Sequence, residues 1–369
     1  MSNYREYPTF ERPAEIELIR SMAHRPLTKK ENKVLDNFFR DAADSSDAFI
    51  VKSAADWLRT TDDALGAGDM LFGDFWYRGE LCIMFADTNV GKSILAVQIG
   101  DSLSRGEAIA GIDTAQRPEK VLYFDFELST MQFKKRYSNG MYGDYRFSPN
   151  FARLVFNPDA NGARKFATYA DYLNNAIENV IISSGARILI IDNITCLRSG
   201  TEAAASAVSL MSKLQAIKHQ YKLSILVLAH TPKRNPAKPI SRNDLQGSKM
   251  LINFADSAFA IGESQTDAGL RYLKQIKQRS GTQVYGADNV RLCRIIKPYN
   301  FLHFDLAGRE PEARHLLQYT EQHRKITEDR VVQLRSQGLS IRAVAAETAM
   351  SFGTVCRMVK RLERAGTNG

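Results

Sequence analysis

The sequence predicts an α/β fold in which helices flank a mostly parallel β-sheet. Between Leu71 and about Asp305, apolar runs of strand length alternate with segments of helical spacing, as expected of a parallel sheet covered by helices. The last runs follow one another without long helices, which predicts an antiparallel edge. The predicted strands are "LCIMFA", "KVLYFDF", "ARLVFN", "RILIID", "LSILVLAH", "SAFAIGE", "LRYLKQIKQ" and "NVRLCRIIK".

Length and composition set the class of protein. The 369 residues, 44% hydrophobic and 25% charged, suffice for one large globular domain with smaller appendages. The net charge of +9 is a weak indication of a nucleic-acid partner. The four cysteines form no C-x-x-C pair, which argues against a zinc knuckle or a disulfide framework. We find no apolar run long enough to span a bilayer, so we expect a cytoplasmic protein with no membrane partner.

Three parts follow one another along the chain: residues 1–52, 53–308 and 309–369. The first is predicted to be helical, with Thr28 as an N-cap and with Val34, Leu35, Phe38 and Phe39 along one face. Its role is left open between an accessory domain and an interaction arm. Residues 231–248 contain three prolines and no apolar periodicity, which predicts a mobile surface loop.

A polar break between the first core strand and the next helix is the strongest motif. Backbone N–H groups at a helix N-terminus lack intrahelical partners, so a polyphosphate is a natural ligand there. Lys92 would lie between the β- and γ-phosphates and the Ser93 hydroxyl would bind Mg²⁺, as in a Walker A phosphate loop. The predicted loop residues are Ala86, Asp87, Thr88, Asn89, Val90, Gly91, Lys92, Ser93 and Ile94.

Ala86 stands where the stricter motif has glycine. The position ends the strand, so a methyl group fits there if φ is negative. The alternative is a chance match in a strand–loop–helix turn that binds nothing. The flanking strand and helix argue against it.

Two acidic residues end apolar strands and complete a hydrolytic site. Asp192, after "ARILII", is expected to help bind Mg²⁺; the alternative is a cap of the next helix. Glu127 follows "VLYFDF" and is expected to orient the attacking water, unless it is a solvated acid at a strand end. Alternation places Asp125 on the same face in a supporting position.

The order of these motifs resembles the RecA-like ATPase core over roughly residues 53–305. Walker A is followed by "YFDFE", "LIIDN", "LVLAH", "QGS" and "KQRSG". Within that group the chain is similar to the hexameric RepA-type plasmid helicases and related AAA-family ATPases of mobile elements. The resemblance implies ATP and Mg²⁺ as cofactors, Glu127 as the catalytic base and assembly into a homo-oligomeric ring.

The same resemblance implies roles for three further residues. His230 would sense the γ-phosphate or couple to DNA, although a structural histidine is an equal alternative. Lys277 and Arg279 resemble the strand-end pair of bacterial replicative helicases, which reaches the nucleotide of the neighbouring subunit. Alternation puts both on one face, and a solvated basic strand end is the alternative.

Two regions are candidates for DNA contact. The family has a DNA-facing loop at "LQGSKMLINFADS", with Gly247 and Ser248 opening a helix, so the preceding basic residues would line a channel, unless they are simply solvated. These are Lys233, Arg234, Lys238 and Arg242.

Residues 326–366 give three helical patterns, the first ending at Gly338. Ser340 and Ser351 are predicted to cap the second and third helices, as in a helix-turn-helix. Resolvase-type and small regulator domains share its "S-x-x-T-V-x-R" pattern, and a three-helix module for protein contacts is the alternative. Ala349, where that family has glycine, and Gly353, inside the third helix, argue against sequence-specific recognition. The residues expected to face bases are Phe352, Gly353, Thr354 and Arg357, with Lys360 and Arg361 toward phosphates.

The sequence therefore predicts an oligomeric Mg²⁺-dependent ATPase acting on DNA. A hexameric helicase or replication-initiation factor of a plasmid, phage or mobile element is the leading hypothesis. An ATP-switched helix-turn-helix regulator and a RecA-like recombination mediator are the alternatives.

Overall fold

A computed structural model gives the architecture of the chain. It describes residues 50–59, 69–114, 117–157, 159–194, 203–245, 249–318, 321–348 and 350–366, with Thr28, Lys29 and Lys33. The chain divides into two compact units, Met1–Leu65 and Gly66–Gly369. In the first unit the structure describes helix α1, Ala54–Arg59. The residues predicted to form the apolar face of the N-terminal helix lie outside the described ones.

The second unit is built on a nine-stranded sheet. The strands of the unit are β1 (Met70–Phe72), β2 (Trp76–Tyr77), β3 (Leu81–Ala86), β4 (Val121–Asp125), β5 (Ser138–Asn139), β6 (Gly143–Asp144), β7 (Phe151–Leu154), β8 (Ile188–Asp192), β9 (Ser224–His230), β10 (Ser257–Glu263), β11 (Leu270–Lys277), β12 (Val290–Ile296) and β13 (His303–Glu310). The helices are α2 (Lys92–Arg105), α3 (Thr130–Arg136), α4 (Tyr169–Ser184), α5 (Ala203–Tyr221), α6 (Lys249–Phe254), α7 (Glu321–Ser336), α8 (Ile341–Thr348) and α9 (Phe352–Gly366).

The sheet order is β13-β12-β11-β10-β3-β9-β8-β4-β7. Strands from β10 to β7 are parallel, whereas β11, β12 and β13 continue the sheet in antiparallel fashion. The predicted α/β class, the mostly parallel sheet and its antiparallel edge are confirmed. Each predicted strand is present, with its ends within a few residues of the predicted ones. The short hairpins β1–β2 and β5–β6 lie outside the main sheet.

Apolar side chains cover both faces of the central strands, which is why these strands read as continuous hydrophobic runs. All six residues of β3 are buried. Leu81, Ile83 and Phe85 pack on the face covered by α4 and α5. Cys82 and Met84 pack on the other face, against α2. The carboxyl ends of the parallel strands therefore meet at one edge, where α2 begins.

Strand β13 was not predicted, because its sequence carries little burial pattern. It is the outermost strand of the antiparallel edge, and only Phe304 of its eight residues is buried. Alternation is a signal of one buried face, and this strand has almost none.

The prediction of a mobile surface loop at residues 231–248 is wrong for the part that the structure describes, residues 231–245. Ile240 and Leu245 are buried in the core. The Ile240 carbonyl accepts a hydrogen bond from Lys274 Nζ at 2.7 Å, and its N–H donates to Glu312 Oε1 at 2.8 Å. Lys274 and Glu312 form a buried ion pair at 2.5 Å. Distant residues thus hold the loop, which its own sequence could not indicate. Gly247 and Ser248 lie outside the described residues.

The last three helices pack around a small apolar cluster that includes Val331, Val344 and Val355. The predicted caps are present: Ser340 Oγ accepts the Ala343 N–H, and Ser351 Oγ accepts the Thr354 N–H, each at 3.2 Å. Gly338, at φ +84°, follows the end of α7. Across the described residues, no helix has the length and apolar character needed to cross a membrane.

Candidate active site

The phosphate loop lies between the end of β3 and the start of α2. Ala86 is the last residue of β3 and is hydrogen-bonded into the sheet between β9 and β10. Among the described non-glycine residues only Asn89 and Lys222 have positive φ, so the alanine at position 86 is unstrained. Asp87, Thr88 and Asn89 are exposed, whereas Val90 is buried.

Gly91 is required by both backbone and packing. Its φ of +114° disfavours any other residue, and a Cβ there would lie 2.6 Å from Ile295 Cδ1 and 2.8 Å from Phe304 Cζ. Gly91 is also the N-cap of α2, and no described side chain caps that N-terminus. The first N–H groups of α2 are therefore directed at an anion-binding position.

Lys92 lies inside the loop rather than extending into solvent. Its Nζ donates to the carbonyls of Ala86, at 3.0 Å, and Asp87, at 2.9 Å. Burial lowers the pKa of Lys92, while the nearby carboxylates of Glu127 and Asp192 oppose that shift. The backbone carbonyls thus hold the ammonium group at the phosphate loop.

His230 connects Lys92 to Glu127. Its Nδ1 lies 3.1 Å from Lys92 Nζ, and its Nε2 lies 2.9 Å from Glu127 Oε1. Because an ammonium group only donates, Nδ1 faces the Lys92 donor, and Nε2 lies between Glu127 and Asn193 Nδ2, which is 3.0 Å away. Asn193 Nδ2 also donates to Glu127 Oε1. The pKa of Glu127 is lowered, first by the hydrogen bond from His230, so the carboxylate form is favoured.

Asp192 has the properties of a magnesium ligand. It is fully buried, its Oδ2 accepts the Tyr123 hydroxyl at 2.7 Å, and its Oδ1 has no hydrogen-bond partner among the described residues. Burial raises its pKa to about 6, against the favourable hydroxyls of Ser93 and Tyr123. A buried carboxylate with a free oxygen, beside a hydroxyl, offers the hard oxygen ligands that Mg²⁺ prefers.

The described residues contain no cluster of three or more His, Cys, Asp or Glu side chains that could hold a metal by itself. One carboxylate and one hydroxyl suit an ion that arrives with nucleotide phosphates rather than a resident metal. Asp192 and Ser93 therefore fit the predicted Mg²⁺ site.

A cavity of about 180 Å³ lies over the loop. Its lining residues are Thr88, Asn89, Gly91, Lys92, Ser93, Ile94, Glu127, Arg136 and His230. The structure thus brings together most of the predicted catalytic and nucleotide-binding residues. Asp125, expected on the same face as Glu127, does not line the cavity; its carboxylate instead accepts hydrogen bonds from the N–H groups of Glu127 and Leu128.

Arg136 was not predicted from the sequence. It ends α3, it lines the cavity, and its buried Nη1 has no partner among the described residues. A buried, unpaired guanidinium nitrogen is costly unless a ligand completes it. The only sequence signal was a basic last turn, "KKR", in which nothing distinguished Arg136 from Lys134 and Lys135.

Lys277 and Arg279 lie at the opposite end of the parallel strands from the phosphate loop, near the residues where these strands begin. Lys277 pairs with Ala258 near the start of β10, level with the beginning of β3 rather than its end. Its Nζ donates to the carbonyls of Ile252 and Ala255, both at 2.6 Å. Arg279 Nη2 donates to the Asn253 carbonyl at 3.1 Å. The pair therefore caps α6 and cannot reach the phosphate loop of its own chain.

The residues predicted to contact DNA lie in two places. In the loop after β9, Lys233, Lys238 and Arg242 are exposed, and Arg234 donates to the Lys238 carbonyl. In α9, Phe352, Arg357, Lys360 and Arg361 are exposed, and Thr354 is partly buried. Arg361, expected to face phosphates, is ion-paired with Glu328 of α7.

One comparison with known proteins covers this site. Residues 54–236 match the sequence model of a family described as AAA domain, and this segment contains the phosphate loop, Glu127, Asp192 and His230. The match supports a P-loop ATPase domain in the chain. Among curated proteins, the comparison found no match.

Among solved structures, the fold is similar to a KaiC-like protein from the hyperthermophilic archaeon Pyrococcus horikoshii OT3. The identity is 13% and the TM-score is 0.44, over 65% of this chain and 97% of that one.

Proposed function

We propose that this chain is an oligomeric, Mg²⁺-dependent ATPase that acts on DNA, as a helicase or replication-initiation factor of a plasmid, phage or mobile element. The observation that carries the ATPase part is the convergence of Lys92, Glu127, His230 and Arg136 on one cavity at the uncapped N-terminus of α2. Cations and backbone N–H groups at that position bind a polyphosphate, and the carboxylate beside them activates water.

In the proposed reaction, the N–H groups of the loop and Lys92 hold the phosphates. Glu127 orients a water molecule toward the γ-phosphorus and accepts its proton. A bond forms between the water oxygen and phosphorus, the bond to the bridging oxygen breaks, and ADP and phosphate leave. When bound through Ser93 and Asp192, Mg²⁺ neutralises charge on the phosphates. Arg136 stabilises charge on the transferring phosphoryl group.

His230 is proposed to report the state of the nucleotide. Its ring contacts both Lys92 and Glu127, so a phosphate that takes the Lys92 ammonium changes the hydrogen bonding of the ring. His230 ends β9, and the loop that follows carries the basic residues Lys233, Lys238 and Arg242. A change at the phosphate can therefore be passed to a DNA-facing loop.

The oligomeric part of the proposal rests on the position of Lys277 and Arg279. Since they lie at the sheet edge opposite the loop, they can serve a nucleotide only in a neighbouring protomer. Arg279 is suited to this, because its side chain is 55% exposed and its contact with Asp256 is long, at 3.4 Å, although it also donates to the Asn253 carbonyl at 3.1 Å. A ring of identical subunits provides such a neighbour for every site.

The DNA part rests on the three C-terminal helices, in which Phe352 and Arg357 are exposed in α9, the helix that would recognise DNA. A second candidate function, an ATP-switched DNA-binding regulator, is favoured by one contact. Lys233 lies three residues after His230. Its Nζ donates to the Ala346 carbonyl in the last turn of α8 at 2.9 Å. This contact offers a route from nucleotide to the C-terminal helices without any translocation.

Hydrolysis and strand displacement, measured with and without Mg²⁺ and single-stranded DNA, separate these functions. A helicase should hydrolyse ATP faster with single strands and should displace a strand. A regulator should bind one duplex sequence and unwind nothing. Removing residues 319–369 should weaken DNA binding and spare basal hydrolysis. If the full chain shows no Mg²⁺-dependent ATP hydrolysis with any DNA, the proposed function is wrong.

A further inference from the structure

The turn that carries Glu127 leaves the sheet after Phe126, whose N–H donates to the Asp192 carbonyl of β8 at 2.7 Å. Strand β4 ends at Asp125, so Glu127 lies two residues beyond the last ladder position. Beyond that bond the turn is held by the Asp125 carboxylate, whose Oδ1 accepts the N–H of Leu128 at 2.9 Å and that of Glu127 at 3.2 Å. His230 and Asn193 hold the Glu127 carboxylate itself, whereas the orientation of Asp125 sets the backbone from which that carboxylate projects.

Arg153, on the edge strand β7, holds Asp125 and the far side of the turn together. Its Nε donates to Asp125 Oδ2 at 2.8 Å, and its Nη2 donates to the Leu128 carbonyl at 2.7 Å. One rigid guanidinium thus fixes the side chain that begins the turn and the backbone that ends it. Its central carbon lies 4.4 Å from the ring centroid of Phe133 in α3.

Burial makes this arrangement rigid. The Asp125 side chain is inaccessible and that of Arg153 is 17% exposed, so removing the cation leaves an unpaired buried carboxylate. Such a carboxylate either takes up a proton or moves toward water, and both responses change its hydrogen bonds to the turn. Arg153 itself does not line the phosphate cavity.

We propose that Arg153, acting through Asp125, is a positioning residue that sets the place of Glu127 for attack on the γ-phosphate. This inference rests on the proposed ATPase function and deepens it. It assigns to the outermost parallel strand a role in the hydrolytic step, although that strand contributes no atom to the phosphate cavity.

The test measures single-turnover ATP hydrolysis, the KM for ATP and the thermal unfolding midpoint of Arg153→Met. Displacement of a reacting group by about 1 Å costs on the order of 100-fold in rate, so we expect kcat to fall between about 10- and 100-fold. The KM for ATP should stay within about threefold, because the residues that bind phosphate are unchanged.

Arg78→Met is the matched control for loss of a buried ion pair. Arg78 is paired with Glu119 at the end of the sheet where the parallel strands begin, away from the phosphate loop. Its side chain is 10% exposed. We expect a fall in unfolding midpoint similar to that of Arg153→Met, with kcat unchanged. An equal loss of kcat in both variants would attribute the effect to general destabilisation and overturn the proposal.

A double-mutant cycle with Glu127→Gln distinguishes positioning from a general structural role. If Arg153 acts through Glu127, its replacement should not lower the residual rate once Glu127 is gone. Equal factors in the two backgrounds would overturn the inference.

Arg153→Lys takes the place of Arg153→Met in the same cycle if the methionine variant does not fold. A lysine can pair with Asp125 but cannot also hold the Leu128 carbonyl with the same geometry, so a smaller loss of rate is expected. If the wild-type protein hydrolyses ATP and both Arg153→Lys and Arg153→Met are fully active, the positioning role is refuted and the proposed ATPase function stands. Absence of hydrolysis in the wild type would refute the proposed function.

Discussion

The two ends of the parallel strands differ in how their charged side chains are partnered. Where the parallel strands begin, three cations have protein partners: Lys277 caps α6, Arg78 pairs with Glu119, and Lys218 lies 2.7 Å from Asp256. At the edge where the strands end, Asp192 Oδ1 and Arg136 Nη1 are buried without partners among the described residues. The difference teaches that charge density alone does not identify a ligand site. Buried polar atoms without partners do so better only where they lie beside an anion-binding loop, because Arg234 Nε and Arg291 Nε are also buried without partners among the described residues and do not line the phosphate cavity.

Replacing Arg279 with alanine is the sharpest way to break this comparison. If Arg279 acts only within its own chain, where it has protein partners, its loss should change the hydrolysis rate little. If it acts on a neighbouring nucleotide, hydrolysis should fall by about 10³-fold, the lower end of the effect of an arginine finger. Steady-state hydrolysis measures this, with Arg78→Met as the control at the same edge. Mixing Arg279→Ala with Lys92→Ala subunits should partly restore activity; no rescue at any ratio would leave Arg279 as a cap of α6.

Changing Glu127 to glutamine tests directly the proposed role of this carboxylate in accepting a proton from water. The amide keeps the shape but cannot accept the proton, so we expect kcat to fall between about 10²- and 10⁴-fold with ATP binding retained. Single-turnover hydrolysis and equilibrium binding of a fluorescent ATP analogue measure the two quantities. Glu263→Gln, at the end of β10 on the same edge and exposed, is the matched control. A normal rate in Glu127→Gln would make Glu127 a structural acid.

Arg136→Met tests whether the unpaired guanidinium marks a ligand. Loss of a cation from the phosphate cavity should lower kcat/KM for ATP by about 10- to 100-fold, the effect of removing a charge-assisted hydrogen bond of about 1.5–3 kcal/mol. Lys134→Met, two residues earlier in α3 and exposed, is the control. Equal kinetics in the two variants would show that Arg136 does not meet the nucleotide.

Asp192→Asn should show an effect on stability that depends on pH in metal-free protein. The folded pKa of about 6 lies above the ordinary value of 3.8, so protonation favours the folded state. That contribution is complete below pH 4 and is lost as pH rises through 6. Asparagine avoids the buried charge, so at pH 8 it should raise the free energy of unfolding by up to about 3 kcal/mol.

Denaturant unfolding in chelator, compared at pH 8 and pH 4, measures this difference. The exposed Asp144→Asn is the control. If Asp192→Asn is less stable than the wild type at both pH 8 and pH 4, other interactions must offset the cost of burying the Asp192 charge, and the prediction is wrong.

The position of the loop between β3 and α2 could be predicted because a strand and a helix flank a fixed spacing of residues, while its phosphate-binding role stays a prediction. The sequence also placed Glu127, Asp192 and His230, since parallel strands bring their carboxyl ends to one edge. It could not find Arg136, because contacts between residues distant in the sequence position the end of α3. There Tyr137 packs against Phe301, far along the sequence, with 5.4 Å between ring centroids.

The phosphate loop is braced by residues that are synthesised late. Gly91 packs against Ile295 and Phe304, the Val90 carbonyl accepts a hydrogen bond from Arg271 at 2.8 Å, and Gln98 exchanges two hydrogen bonds with the backbone of Phe304. These partners lie beyond the segment that matches the AAA domain family, which ends at residue 236. A chain ending at residue 236 would therefore lack the antiparallel strands that pack over Gly91, so the packing of the loop depends on residues about two hundred positions further along the chain.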